Sequence, residues 1–392
     1  MFKSNFNGEK LKLARRFNKL TLSEMSDHLN VSKQMVSKYE KNLSQPSSES
    51  LFQLEKLLGF PRKFYFESNF ENSKVGNTYF RALTKATKKD LEAQKIRIDL
   101  LSIIYQFIDD YIELPRLNFP ELDPAGNSIE ELAAAARDFW GLDEKPIENM
   151  VKLLEVNGFF VSTSKFNINV IDAYTQVRNI GGKESFIIVL GNDKGNYFRR
   201  QFDAAHELAH VLMHDAYLDL STLSRDEEKN IEAEANSFAS AFLLPAGPFI
   251  KDISIMPTDL DHYAYLKKKW HVSVGVMVRR AFNLGVISSS DYEKLQRTIT
   301  RRGWRQKEPL DRLTRPTSPV LLPKAIITLL EEKVFDGASL MEELSFEYDF
   351  SISSSMLEDL VGLENGTIDK YHSNNSIPNV VIDIKNKARS NN

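Results

Sequence analysis

A chain of 392 residues that is 42% hydrophobic and 27% charged is long enough for several domains and has the balance of a folded protein, which excludes a disordered or fibrous one. It contains no cysteine, which excludes disulfides and thiolate metal sites and suits a reducing cytoplasm. The net charge of −3 hides an uneven distribution: residues 1–67 carry twelve Lys or Arg against seven Asp or Glu, a local +5 that points to contact with nucleic acid.

No apolar run approaches the ~18 residues of a membrane span, and the strongest, FIIVL at 186–190, reads as a buried strand. The first residues, MFKSNFNGEK, lack an apolar signal core, so secretion is not expected. Residues 8–66 read as a run of short helices. Thr21 with Glu24 forms a capping box, and Met25 and Leu29 follow one turn apart. Asn30 stands where the chain must turn, since Asn tolerates the left-handed conformation. Ser32 then caps KQMVSKYE, whose Val36 and Tyr39 point inward. A further helix with Leu51, Leu54, Leu57 and Leu58 stops at Gly59, and the set fits a helix-turn-helix domain.

Residues 78–115 read as helical, and PRLNFPELDPAGNS (115–128) as a linker or loop. Two helices are expected in 128–142 and 146–158, the second with Pro146 near its start and Gly158 past its end. Strand-like FFVS (159–162), VIDAYTQV (170–177) and FIIVLG (186–191) follow, separated by turn residues. A histidine-bearing helix comes next, then a helix over 225–243 with the capping pair Ser224 and Glu227. Helices continue through 263–285. RLTRPTSP (312–319) marks a boundary to a mainly helical C-terminal region whose last ~15 residues are expected to fray.

Of the seven histidines, three lie in FDAAHELAHVLMHD (202–215). On a helix, His206 and His210 share a face and can bind one metal ion, with Glu207 beside it as a proton acceptor. Two imidazoles and one carboxylate suit zinc with an open fourth position. The apolar neighbours Phe202, Ala205, Leu208, Ala209, Leu212 and Met213 indicate a buried helix rather than an exposed one. His214 lies ~12 Å along the axis from His206, too far to share the ion, and is expected to cap the C-terminus as an imidazolium. In EEKNIEAEANSFASAFLLP, Ile231, Ala235, Phe238, Ala239 and Phe242 form an inward face with Glu232 at its edge. Glu232 is the favoured third ligand, before Glu234 and Glu228, and Asn236 one turn on supports it.

FDAAHELAHVLMH followed by IEAEANSFASAFLLP resembles the ImmA/IrrE family of bacterial metallopeptidases, with PIENMVKLLEVNGFFV and FIIVLGND similar to that family's helix and substrate-edge strand. The likeness covers roughly residues 128–250. It implies His206, His210 and Glu232 as zinc ligands and Glu207 as general base. Many relatives have Thr-Leu where this chain has Asp203-Ala204; Asp203 can orient a ligand imidazole or raise the Glu207 pKa by like-charge repulsion. The segment from Leu20 to Gly59 resembles lambda-repressor/Cro-like (XRE) domains, departing mildly at Asn30 and Ser26. By position Lys33, Gln34, Ser37 and Lys38 read bases in the major groove, and Arg15, Arg16 and Lys41 contact phosphates.

The fold class expected is therefore α+β and multidomain, mainly helical. Its parts are a helix-turn-helix bundle (1–68), a helical connector (69–127), a zincin-like metallopeptidase domain with a small sheet (128–290) and a helical C-terminal region (291–392). The favoured function is a cytoplasmic, homodimeric regulator of a palindromic double-stranded operator, carrying a zinc peptidase. The resemblance implies a protein substrate such as a repressor, cleaved after stress or mobile-element induction. The substrate strand would add to the sheet near FIIVLG. The alternative is a regulator whose metallopeptidase-like domain senses a ligand, metal or partner without cutting.

Overall fold

The computed structural model describes residues 5–70, 75–80, 87–164, 173–192, 196–214 and 223–371, with the backbone alone for 75–80. The chain divides into two compact units: Met1–Glu71 with Glu92–Ile112 and Leu322–Asn392, and Asn72–Leu91 with Glu113–Leu321.

In the first unit, α1 (Gly8–Phe17), α2 (Leu22–Leu29), α3 (Lys33–Glu40) and α4 (Ser48–Leu58) form the helix-turn-helix bundle. The expected start and stop signals are present. Thr21 and Glu24 close a capping box, Asn30 adopts φ +51° and ψ +40°, and Ser32 caps α3. Met25, Leu29, Val36, Leu54 and Phe64 are buried between these helices. Gly8 lets α1 approach the end of α3: a Cβ there would lie 2.2 Å from the Tyr39 carbonyl oxygen.

Helix α5 (Lys88–Tyr111) contributes its residues from Glu92 onward to this unit, burying Ile98, Leu101, Ile104 and Ile108. The helical reading does not hold for 78–80, which lie in a strand over 75–80; positions 81–86 of that reading lie outside the described residues, and the helix is described from Lys88. Strand pairing, a long-range contact, decides that segment against its local pattern.

The second unit contains β1 (Val75–Phe80), α6 (Ile129–Phe139), α7 (Met150–Val156), β2 (Phe160–Ser164), β3 (Ala173–Ile180), β4 (Lys183–Gly191), α8 (Tyr197–Met213) and α9 (Arg225–Leu243). They are followed by α10 (Ala246–Ile253), α11 (Leu260–Trp270), α12 (Val274–Asn283) and α13 (Ser289–Arg301). The remaining helices, α14 (Leu321–Glu331), α15 (Gly337–Glu347) and α16 (Ser354–Val361), belong to the first unit from Leu322 onward. There Glu67 accepts from the Ser351 N–H, Arg97 pairs with Asp359, and the rings of Phe107 and Phe335 meet. The C-terminal segment thus shares a compact unit with the helix-turn-helix helices, a grouping that the four expected segments do not describe. The expected fraying of the last ~15 residues lies outside the described residues, as do positions 170–172 of the expected second strand.

The sheet order is β1-β3-β4-β2, with β1/β3 and β3/β4 antiparallel and β2/β4 parallel. Gly181 and Gly182, both at positive φ, make the two-residue turn from β3 to β4. Phe186 to Leu190 of β4 are all buried, which explains their continuous apolar run. FIIVLG is therefore not a sheet edge: β4 is paired on both sides, and no strand can add to it. Helix α8 crosses β3 and β4 and packs beside α9, which leans on α6. Phe202, Leu208, Phe238 and Phe242 join Val161, Val177 and Ile188 in the core.

Candidate metal centre

The apolar residues around the histidines do bury α8. His206, Glu207 and His210 are each 0% exposed. Asn196 accepts from the N–H groups of Phe198 and Arg199 and fixes the helix start, so the one-turn spacing delivers both imidazoles to the same side. Helix α9 opens with the expected Ser224–Glu227 capping box and buries Ala235, Phe238, Ala239 and Phe242. Its half-buried Glu232 then reaches the histidines.

The three side chains converge. His206 Nε2 lies 3.1 Å from His210 Nε2, and the Glu232 oxygens lie 3.4 Å from His206 and 3.5 Å from His210. One donor atom from each lies within 4.8 Å of the others. Metal–ligand bonds of ~2.0–2.1 Å in tetrahedral geometry separate neighbouring donors by about 3.3 Å. The donor set therefore fits zinc in chemistry and in spacing. Burial works against the charge on Glu232, but hydrogen bonds from His206 and His210 outweigh it and hold the carboxyl well below its usual range.

Glu207 is anchored by a residue that the sequence reading did not single out: Thr175 Oγ1 on β3 donates to Glu207 Oε2 at 2.7 Å. Both residues are buried, and the bond spans 32 positions in the chain, so no local motif announces it.

His214 follows α8 as its C-cap residue, but its ring does not serve as a charged cap. His214 Nδ1 lies 3.1 Å from His210 Nδ1, and its Nε2 lies 3.2 Å from Glu234 Oε2. Burial and then His210 push its pKa down to about 4 against the pull of Glu234, so the neutral imidazole replaces the expected imidazolium. With a metal in place of the proton on His210 Nε2, His210 Nδ1–H would donate to His214, whose Nε2–H donates to Glu234, and His210 Nε2 would turn its lone pair to the metal. His214, excluded as a ligand, and Glu234, ranked second to Glu232, therefore stand behind one.

Asn236 Nδ2 donates to the main-chain oxygen of Glu232 at 2.6 Å, and so steadies the helix turn that carries the carboxylate. Asp203 is buried, and its charge acts on Arg200, whose guanidinium donates to the Thr317 and Gly191 carbonyls. That cationic neighbour was absent from the sequence reading of Asp203. Three other polar aromatic side chains of this unit, Tyr197, His262 and His271, are engaged with neighbours of their own. Tyr197 donates to the Glu148 carbonyl and its ring packs on His271, while His262 Nε2 lies 2.9 Å from the Asp252 carbonyl.

In the first unit, Lys33, Gln34 and Lys38 are exposed on α3 and Ser37 is half-exposed, while Lys41 is exposed at its end. Arg15 departs from its expected phosphate role. It is buried, with Nε 2.5 Å from Glu40 Oε1, a second nitrogen on Glu40 Oε2 and the third on the Leu20 carbonyl. Three of its five N–H groups are committed inside the protein and only 10% of the side chain is exposed, so Arg15 is not presented to a phosphate. Arg16 stays half-exposed, 3.6 Å from Glu92.

No helix among the described residues is long and apolar enough to cross a membrane. Comparison with known proteins adds two matches. A model of the IrrE N-terminal-like domain, a peptidase family, matches residues 163–282, and a helix-turn-helix model matches residues 11–64. No curated protein matches the chain. The first match contains Thr175, the α8 motif and Glu232, and the second contains α3, so the chain carries an XRE-type helix-turn-helix domain fused to an ImmA/IrrE-like, zincin-like domain.

Proposed function

We propose that this protein is a DNA-binding regulator whose ImmA/IrrE-like domain is a zinc-dependent peptidase acting on a specific protein. The observation that carries the reading is the convergence of His206, His210 and Glu232 beside a fully buried Glu207 held by Thr175. Those three side chains would hold the zinc, which when bound supplies a Lewis acid for a peptide carbonyl. Glu207 takes a proton from the attacking water and passes it to the leaving amine, so one water is consumed per peptide bond cut. Thr175 keeps the Glu207 carboxylate turned to that task, and the surrounding core limits access of bulk water.

The exposed N-terminal half of α3 supports major-groove binding through Lys33, Gln34, Ser37 and Lys38, with Arg16 and Lys41 on phosphates. A homodimer on a palindromic operator in the cytoplasm, with a repressor as the substrate, completes the reading.

The test incubates zinc-loaded wild type and Glu207→Gln with candidate repressors and follows cleavage by mass spectrometry. Cleavage by wild type alone is expected. If every candidate stays intact while both proteins regulate the promoter equally, the domain is a sensor and not a peptidase.

A further inference from the structure

A protein segment that is to be cut must present an extended backbone beside the catalytic carboxylate, and adding to a sheet edge is the general way to do so. The strand that runs past Glu207 is β3, because Thr175 on it holds that carboxylate. One side of β3 is paired with β4. The other side is already filled. Residues 75–80 form β1, which runs antiparallel to β3 and places Thr78, Tyr79 and Phe80 opposite Gln176, Thr175 and Tyr174. The position across from the residue that anchors Glu207 is thus taken by Tyr79 of the same chain. The sheet's other edge, β2, is two strands away from β3.

We propose that β1 is a built-in blocking strand: it occupies the strand-addition site of the catalytic centre, and an extended substrate segment binds by displacing it. This rests on the peptidase reading of the centre. Two features make β1 displaceable. It is a six-residue edge strand containing Gly76 and Asn77, both poor strand formers. Its register also slips between Val75 and Thr78, so the pairing is not continuous. Tethering nevertheless gives the strand a high effective concentration, of the order of millimolar, so a competing segment is held off until β1 is released. The occupant that this edge selects is an extended peptide with the backbone pattern of residues 75–80, read antiparallel to β3.

The probe is a fluorescein-labelled peptide of residues 74–82, KVGNTYFRA, measured by anisotropy against the full-length, zinc-loaded chain. Glu207→Gln is present throughout so that binding is read without turnover. Thr78→Pro/Tyr79→Pro removes two adjacent N–H groups of β1, one of which faces β3, and the variant should bind the peptide at least tenfold more tightly than the parent chain does. Zinc content and hydrogen exchange of β4 must match the parent for this comparison to count. A second arm needs no β1 variant: excess peptide should raise hydrogen exchange in 75–80 and leave β2 and β4 unchanged.

Equal peptide affinity with and without the prolines, or a bound peptide that leaves the exchange of 75–80 unaltered, overturns the blocking strand. Failure of the peptidase reading looks different. The proline variant with Glu207 restored would bind the peptide and cut neither it nor any candidate protein.

Discussion

Thr175 Oγ1 and Glu207 Oε2, 2.7 Å apart, tie the second strand in the sheet order to the helix that carries HExxH. Because both groups are buried, removing the donor leaves a carboxylate with a lost partner in a dry site. Thr175→Val should slow cleavage by about 10- to 100-fold, from a hydrogen bond to a charged group worth roughly 1.5–3 kcal/mol. Thr175→Ser should restore most of the rate, and zinc content should stay unchanged in both. If Thr175→Val cuts at the parental rate, the hydrogen bond has no part in positioning the base.

The His210–His214–Glu234 chain is expected to set metal affinity without binding the metal itself. His214→Ala should weaken zinc binding by about 10- to 100-fold in competition with a chelator, the usual effect of losing a group that orients a ligand. Glu232→Ala should abolish stoichiometric binding, and Glu207→Gln should retain it. All three tryptophans, Trp140, Trp270 and Trp304, lie in the second unit. Chelation should therefore lower the melting temperature followed by tryptophan fluorescence. Equal zinc affinity in His214→Ala and wild type would remove His214 from this role.

Arg15 and Lys33 are expected to behave oppositely. Arg15→Met strands Glu40 in the core and should cost about 3–5 kcal/mol in urea unfolding followed by circular dichroism. Lys33→Ala should leave stability alone and, if it loses a phosphate contact, reduce the salt slope of operator binding by about 1. Gln34→Ala should cost about 1–3 kcal/mol and relax specificity at one base pair. Unchanged operator affinity in the Lys33→Ala/Gln34→Ala double variant would refute their assignment.

Lys10 supplies a pH dependence. Its ammonium is buried with Glu67 at 3.9 Å, the Asp349 carbonyl and the Phe70 ring nearby. Burial lowers its pKa from 10.5 to about 8, partly offset by Glu67 and Asp349. Between about pH 8 and 10.5 the unfolded chain holds a proton that the native chain has shed, so this residue makes stability rise with pH across that window. Comparing wild type with Lys10→Met at pH 8 and pH 10 should show the difference shifting in favour of wild type. A constant difference would contradict the lowered pKa.

Local signals carried much of this structure. Capping pairs at Thr21 and Ser224 marked helix starts, and the spacing of His206 and His210 with the inward face of α9 brought out Glu232. What was missed depends on tertiary contacts. An arginine on an amphipathic helix has the same sequence pattern whether it faces a phosphate or, as Arg15 does, a buried Glu40. His214 was placed by helix arithmetic alone, which does not report the ring packed behind His210. Edge or interior position is a property of topology, so the residues of FIIVLG do not distinguish it from an edge, and residues 78–80 of β1 read locally as helix.

The account rests on a metal held by His206, His210 and Glu232. Anomalous diffraction at the zinc edge from crystals of the zinc-loaded protein tests it most directly. One peak about 2.0–2.2 Å from His206 Nε2, His210 Nε2 and a Glu232 carboxylate oxygen is the predicted result. A peak elsewhere, or none between α8 and α9, would contradict it.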